Sequence, residues 1–369
     1  MNNSEDPTGQ STSQDDIHST LKSIDEQIQA LITKRAEASQ QIAALKHGLP
    51  ESQTTNDFQP AMDLQILRQV TARNNGPVSD ASLQRIFREI LSASAALEEP
   101  LRVAYLGPEG TYSHTAADTY FGHAVQTRPE PGIADIFNAV EAGRAKFGVV
   151  PVENSTEGAV NQTLDLLTQT TLRVCGEVRL RIQHCLLSNG STLDAINEVH
   201  AHPQALAQCK RWLSANLPGA AQISESSNAA AAKLAIERHD IAAIAGETAA
   251  DLYSLTTMVK GIEDEKNNTT RFLVIGNQSV SPSGDDATML LVSAPHRPGG
   301  LRGLLGPLEA AGVSMTRIES RPSRSALWEY VFFINVNGHE HDSKLSGVLK
   351  QLREFAPLVK VLGSYPRAL

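Results

Sequence analysis

The chain has 369 residues, with 32 Lys plus Arg against 41 Asp plus Glu, a formal net charge of −9, and 41% hydrophobic content. At roughly 150 residues per domain this is enough for two to three cores, and the acidic balance excludes a general nucleic-acid binder, which needs a basic face. Three cysteines (Cys175, Cys185, Cys209) without CxxC spacing exclude a disulfide scaffold and a zinc ribbon and suit a reducing compartment.

Residues 1–16 read as a disordered polar leader. They carry neither a basic n-region nor an apolar h-region, and no later run approaches the roughly 18 apolar residues of a membrane span, so a cytoplasmic protein without a membrane partner is expected. From Ile17 the texture changes. Ile17, Leu21, Ile24, Ile28 and Leu31 step by 4, 3, 4, 3, and Arg35, Ala38, Ile42 and Leu45 continue the seam. This predicts one long helix to about Lys46, stopped by His47-Gly48-Leu49-Pro50. A second helix is predicted from about Pro60 to Arg73. A third, capped by Ser79 or Asp80, carries Leu83, Ile86, Phe87, Ile90 and Leu91. Three such helices make a thin core for one chain, so residues 17–99 are expected to form an all-α intertwined dimer.

Strand and helix signals alternate from Arg102 to about Ile275, an α/β pattern placed at 101–278. After the linker from Asn277 to Asp285, the segment 286–369 reads strand, helix, strand, strand, helix, strand, the ferredoxin-like βαββαβ order. Met315 and Trp328 are expected in its core.

Arg35 falls on an apolar seam, and Lys46, three turns on, shares its face. Two cations beside a core need an anion. Arg35 either pairs with a partner-chain Glu while Lys46 stays solvated, or both hold a small dianionic ligand. In the α/β part three polar loops lie at strand ends: Gly107–Ser113, Pro151–Gly158 and Asn267–Phe272. The first opens a helix, a favourable place for an anion, but it is neither a P-loop nor a GxGxxG fingerprint. Each loop alone reads as a capped turn; together they point to a binding cleft. His339-Glu340-His341 resembles a metal pair but follows the turn residues Asn337-Gly338, and no metal is expected. His202 before Pro203 and the Ala229–Ala232 run read as structural.

These segments carry a resemblance. VAYLGPEGTYSHTAA, GVVPVENSTEGAVNQTLDLL, HPQALAQCKRWL, AAIAGETAADLYSL and NNTTRFLVIG resemble prephenate dehydratase in order across 102–278. HRPGGL and ESRPSRSALWEYVFFINVNGH resemble its regulatory ACT domain, and 17–98 is similar to the all-helical chorismate mutase fused to dehydratase in bifunctional bacterial enzymes. The resemblance implies conversion of prephenate to phenylpyruvate, water and CO2 in phenylalanine synthesis, with no cofactor. It implies a homodimer or tetramer and a fold of two α/β lobes of the periplasmic-binding-protein type II kind. Lobe one is expected at 102–178 plus 256–278, and lobe two at 179–255.

By the same resemblance Thr270 is the catalytic threonine, with Glu153, Asn154 and Gln204 beside it; Glu153 is the second candidate proton donor. Thr111, Ser113, Ser155, Arg271 and Phe272 would bind substrate. Gly299, Gly300, Leu301, Glu319, Ser320 and Arg321 would flank an L-phenylalanine effector site at a subunit interface. The mutase part departs from its family. An arginine position falls on His18, Arg35 and Lys46 keep two cationic positions, and the Arg-Glu pair of helix two becomes Met62-Asp63. A nearby Asp falls on Gln59, Ser94 matches, and Glu98 takes the Gln or Glu position. A mutase fold is therefore expected, with little turnover of chorismate near pH 7.5. The alternatives are a dehydratase whose helical domain only dimerises, and a non-catalytic amino-acid-binding regulator.

Overall fold

The computed structural model describes residues 14–47, 60–98, 100–190, 192–295, 297–322 and 330–368. Three helices come first: α1 (Gln14–His47), α2 (Pro60–Ala72) and α3 (Asp80–Ala96). The Ser79 hydroxyl caps α3 by accepting from the Ser82 N–H at 3.2 Å. Leu64, Leu67 and Leu91 bury a small core between α2 and α3. The helix α1, about 50 Å long, touches α3 and leaves its apolar seam bare: Ile17, Leu21, Ile24, Ile28 and Leu31 are each 44–64% exposed.

Lobe one of the middle domain comprises β1 (Arg102–Leu106), α4 (Tyr112–Phe121), β2 (Gln126–Glu130), α5 (Ile133–Glu141), β3 (Phe147–Asn154), β4 (Gly158–Ala159), α6 (Asn161–Gln169) and β5 (Arg173–Arg181). Lobe two comprises β6 (Cys185–Ser188), β7 (Glu198–Ala201), α7 (Pro203–Gln208), α8 (Lys210–Asn216), β8 (Ala221–Ser224), α9 (Asn228–Glu237), β9 (Ile241–Ala245), α10 (Glu247–Tyr253) and β10 (Thr256–Lys260). The chain then returns to lobe one as β11 (Thr269–Gly276), antiparallel between β3 and β5. The sheet orders are β2-β1-β3-β11-β5 and β10-β6-β9-β7-β8.

The expected lobe boundaries need one correction. Thr256–Lys260 pairs with β6 and so belongs to lobe two; strand pairing is non-local, and sequence order had placed it with β11. The crossovers are therefore 182–184 and 261–268. They are tied together where the His184 N–H donates to Glu263 Oε2 at 2.9 Å.

The last unit is β12 (Asp286–Ser293), α11 (Gly300–Ala310), β13 (Met315–Pro322), β14 (Tyr330–Asn337), α12 (Ser343–Phe355) and β15 (Leu358–Pro366), the βαββαβ order, with sheet order β13-β14-β12-β15. One sheet face packs on α11 and α12 through Leu290, Leu304, Ile334 and Leu349. The other packs on lobe one, where Met289, Leu291, Phe333, Leu362 and Tyr365 share a single core with Ile136, Val150, Leu167 and Leu273. Backbones approach closely at Gly363, where a Cβ would overlap the Val174 carbonyl. Met315 is not core: it is 37% exposed on the edge strand β13. Trp328 lies outside the described residues.

Candidate active site

The register of β11 on β3 sets Thr270 opposite Asn154. Asn154 ends β3, and its side-chain Oδ1 accepts the N–H groups of Thr156 at 2.9 Å and Glu157 at 3.1 Å. This leaves both Nδ2 hydrogens for the other side. They go to Asn268 Oδ1 at 2.8 Å and Thr270 Oγ1 at 2.9 Å. Ser155 seals the corner: its N–H donates to the Thr269 carbonyl and its Oγ accepts from the Thr269 N–H, both at 2.9 Å. Thr270 is 9% exposed. Its oxygen accepts from Asn154, and its own hydrogen has no partner among the described residues.

Alternation along β3 and β11 sends the neighbours to the opposite face. Glu153 does not join the Thr270 cluster; it pairs with Arg317 on β13. Arg271 likewise turns away: its Nε donates to Glu177 at 2.8 Å and its Nη2 to Tyr365 Oη at 2.8 Å. Both were expected at the substrate and both instead join lobe one to the C-terminal unit. A polar cavity of about 280 Å³ separates the two there, lined by Glu153, Ser155, Arg179, Arg317, Asn335 and Asn337 among others. Phe272 is buried with Tyr105, Phe147 and Tyr120 beneath the sheet and presents no ring to a ligand.

The Gly-rich loop closes against lobe two. The Thr111 hydroxyl donates to the Leu106 carbonyl at 3.0 Å and accepts from the His114 N–H at 3.4 Å, so it is a helix cap whose hydrogen is already used. Ser113 is buried in the first turn of α4. Tyr253 Oη donates to the Glu109 carbonyl at 2.9 Å, and the Thr115 and Thr248 hydroxyls meet at 2.8 Å. Gln204 sits in the first turn of α7, half-buried, and its N–H donates to the capping His202 ring at 3.3 Å. His202 is thus structural, as expected.

In the helical unit Arg35 Nη1 donates to Ser94 Oγ at 2.6 Å, and Ser94 in turn donates to the Ile90 carbonyl at 2.7 Å. Asp63 faces Arg35, Arg88 and Glu98; burial pushes its carboxyl up to about 6, against the pull of the two arginines. Arg35, Asp63, Ser94 and Glu98 are therefore gathered as expected. His18 is exposed, 17 residues before Arg35 on α1, about 25 Å away along the axis. It cannot reach this site within one chain. Met62 is 58% exposed, and the side chain of Lys46 lies outside the described residues.

In the C-terminal unit Gly299 has φ 81° at the start of α11, a backbone suited to glycine. A Cβ on the buried Gly300 would overlap the Pro295 carbonyl, and Leu301 is 40% exposed. Glu319 and Ser320 follow on β13. Arg321 is not free for a ligand: it bonds Asn161 and pairs with Asp165 at 2.8 Å, both on α6. The His339 ring contacts the Val280 carbonyl at 2.9 Å, and Glu340 pairs with Arg173. No three His, Cys, Asp or Glu side chains are grouped to hold a metal among the described residues, and none of their helices is long and apolar enough to cross a membrane.

Comparison with known proteins agrees with this three-part build. Residues 17–99 match chorismate mutase type II, 103–280 match prephenate dehydratase, and 288–354 match the ACT domain. The chain is 47% identical to a bifunctional chorismate mutase/prephenate dehydratase of Stutzerimonas stutzeri, covering 95% of this chain and 96% of that one. It is 49% identical to the protein of the same description from Neisseria gonorrhoeae, over 95% and 96%. The chain belongs to the bifunctional chorismate mutase/prephenate dehydratase family. Among solved structures, a prephenate dehydratase from Arthrobacter aurescens in complex with L-Phe superposes with TM-score 0.67 at 33% identity, covering 73% of this chain and 90% of that one. A chain described as a novel type of quorum-quenching acylase, GqqA, superposes with the same TM-score and identity, covering 72% and 98%.

Three residues escape a sequence reading. Gln208 and His184 continue the hydrogen-bond chain beyond Asn268, at 3.2 and 2.8 Å in turn. His184 stands in no pattern that sets it apart from an ordinary polar residue, and Gln208 lies in the HPQALAQCKRWL segment, where Gln204 drew the reading instead. Arg88 enters the mutase-like site from α3, and its Nη1 donates to the Tyr120 carbonyl of the dehydratase domain at 2.7 Å. It lies between the apolar positions of α3 and reads from sequence as a solvated charge.

Proposed function

We propose that this chain dehydrates prephenate to phenylpyruvate, under feedback control by L-phenylalanine at the ACT domain, and that its mutase domain serves chiefly as a dimer interface. The observation that carries the reading is the hydroxyl of Thr270, held by Asn154 with its hydrogen unpaired among the described residues. Aromatisation drives the reaction: the electron pair of the breaking carboxylate bond enters the ring as the ring hydroxyl departs with the C–O pair. A hydrogen-bond donor at that hydroxyl lowers the barrier to its departure, and the leaving hydroxide takes a proton from solvent to become water, while neutral amides orient the substrate. Thr270 has no histidine or carboxylate partner among the described residues, which disfavours a nucleophile of the acyl-transfer kind on this fold.

The bare seam of α1 supports a homodimer, since such an apolar stripe needs a covering partner. His18, out of reach within one chain, would then approach the Arg35 site of the other protomer. Purified protein assayed with prephenate and with chorismate, each with and without phenylalanine, tests the reading. Thr270→Ala is expected to lower prephenate kcat by roughly 10² or more, and Thr270→Ser to retain most of it. Near-wild-type turnover in Thr270→Ala would remove the threonine from the chemistry.

A further inference from the structure

The cavity between lobe one and the ACT sheet is walled by alternate residues of its strands: Glu177 and Arg179 of β5, Arg271 of β11, Arg317 of β13, and Asn335 and Asn337 of β14. At about 280 Å³ it has room for a small organic molecule. Its charges do not balance. The register of β11 on β5 sets Arg271 directly opposite Arg179, and like charges so placed repel each other. Glu177 serves both: its Oε2 accepts from Arg271 Nε at 2.8 Å and its Oε1 from Arg179 Nη2 at 3.4 Å. Arg317 takes the carboxylate of Glu153. With Arg367, the lining carries four arginines against two carboxylates. Just outside it, Asp285 is shared between Arg367 and Arg68, and Glu319 adjoins Arg317. Counting these as well, five arginines against four carboxylates leave the balance positive.

The amides of the same lining are incomplete. Asn335 is 3% exposed. Its Nδ2 donates to Tyr365 Oη at 3.0 Å, while its Oδ1 is buried without a partner, as is Oδ1 of Asn337. A buried polar atom left unpaired is costly and calls for an explanation. Turning the Asn335 amide over would only exchange the atom left over. A ligand hydroxyl, which both donates and accepts, completes either setting.

We propose that this cavity is a second small-molecule site and that it binds a hydroxydicarboxylate, with its charge met by Arg179, Arg317 and Arg367 and its hydroxyl by the amides of Asn335 and Asn337. An α-amino acid suits it less, because the ammonium group would add a cation to a positive lining. The site lies on the opposite face of β3 and β11 from the Asn154–Thr270 pair. The side chain of Arg179 is 63% exposed, so it can turn onto a ligand at the mouth. Two sources share this chemistry: a free metabolite of the malate kind, and prephenate, which itself carries two carboxylates and a hydroxyl. Binding is read without turnover, so the site stands or falls apart from the dehydratase reading.

The test is equilibrium dialysis of the full chain with radiolabelled L-malate, beside thermal melting of each variant. One equivalent per chain is expected, with Kd below about 1 mM. Arg179→Ala is expected to weaken it roughly tenfold or more, and Asn337→Leu roughly threefold or more. The two residues lie on different domains and meet at this cavity, so a loss in both places the malate here. Succinate, which lacks the hydroxyl, is expected to bind more weakly than L-malate. In Thr270→Ala, used to suppress turnover, malate affinity is expected to stay within about threefold of the wild type. Unlabelled prephenate that displaces the label from this variant makes the substrate the source; prephenate that leaves the label in place makes it a free metabolite. Absence of malate binding to the folded wild type overturns the inference, and so does binding that survives both Arg179→Ala and Asn337→Leu. Equal affinity for succinate overturns the role given to the two amides.

Discussion

Glu153 on β3 and Arg317 on β13 form an ion pair across the boundary between the dehydratase and ACT domains. The next residue on β3, Asn154, points the other way and holds Thr270. Thr270 and Arg271 repeat the pattern on β11, with Arg271 reaching Tyr365 of the ACT domain. Each strand thus carries a member of the Asn154–Thr270 pair beside an ACT-facing residue.

This pairing predicts that Arg317→Ala weakens phenylalanine control more than it weakens catalysis. Couplings between sites typically amount to 1–3 kcal/mol, so the apparent inhibition constant is expected to rise roughly fivefold or more while uninhibited kcat falls less than about threefold. Prephenate turnover titrated with phenylalanine measures both. An unaltered titration would show that the signal bypasses β3.

Chorismate turnover is expected to be very weak near pH 7.5 and to rise toward pH 5–6. The Met62 position offers no cation, and loss of one partner of a buried charge pair typically costs 2–5 kcal/mol, or roughly 30- to several-thousand-fold in rate. Acid neutralises Asp63, whose carboxyl titrates near 6, releasing Arg35 from a competing anion. Turnover across pH 5–8, beside Met62→Arg and His18→Arg, measures this; full activity at neutral pH in the wild type would refute it.

Asp63 has a separate signature in stability. Its folded pKa is raised from 3.8 to about 6 by burial. The folded state therefore binds this proton more tightly than the unfolded one, and stability rises as pH falls through 6 toward 4. A displacement of that size is worth at most roughly 3 kcal/mol. Asp63→Asn should raise the melting temperature at pH 7.5 and flatten its dependence between pH 7 and 4. A lower melting temperature in that variant at pH 7.5 would mean that the arginines outweigh the burial.

Gly363→Ala should loosen the union of β15 with β5, because its Cβ would meet the Val174 backbone rather than a side chain able to yield. Overpacking of this kind costs typically 1–3 kcal/mol, a fall of several degrees in melting temperature. An unchanged melting curve would show that the two strands separate freely.

The sequence made much of this legible, and the reasons for the gaps are physical. The period-3.5 seam of α1 announced a helix that begins at Gln14, three residues before the first apolar position, and the βαββαβ order was readable from strand and turn signals alone. The motif segments hold Thr270 and Asn154, two side chains that the fold joins by a hydrogen bond. The same segments misled at Glu153 and Arg271, since adjacency in a motif is not adjacency in space: on a strand it guarantees opposite faces. Thr256–Lys260 was assigned to the wrong lobe because its partner β6 lies about 70 residues earlier. Gln208 and His184 gain their meaning only from amides contributed by distant loops.

The shared core beneath the ACT sheet also limits how an effector can act. Swinging that sheet away would bring Met289, Leu291, Phe333 and Tyr365 into water together with the face of lobe one they cover. ACT sheet and lobe one therefore behave as a single chassis. Lobe two shares no core with them and is joined by the crossovers 182–184 and 261–268 and by side-chain bonds such as Tyr253 to Glu109, so it is the half of the jaw expected to travel when the enzyme changes state.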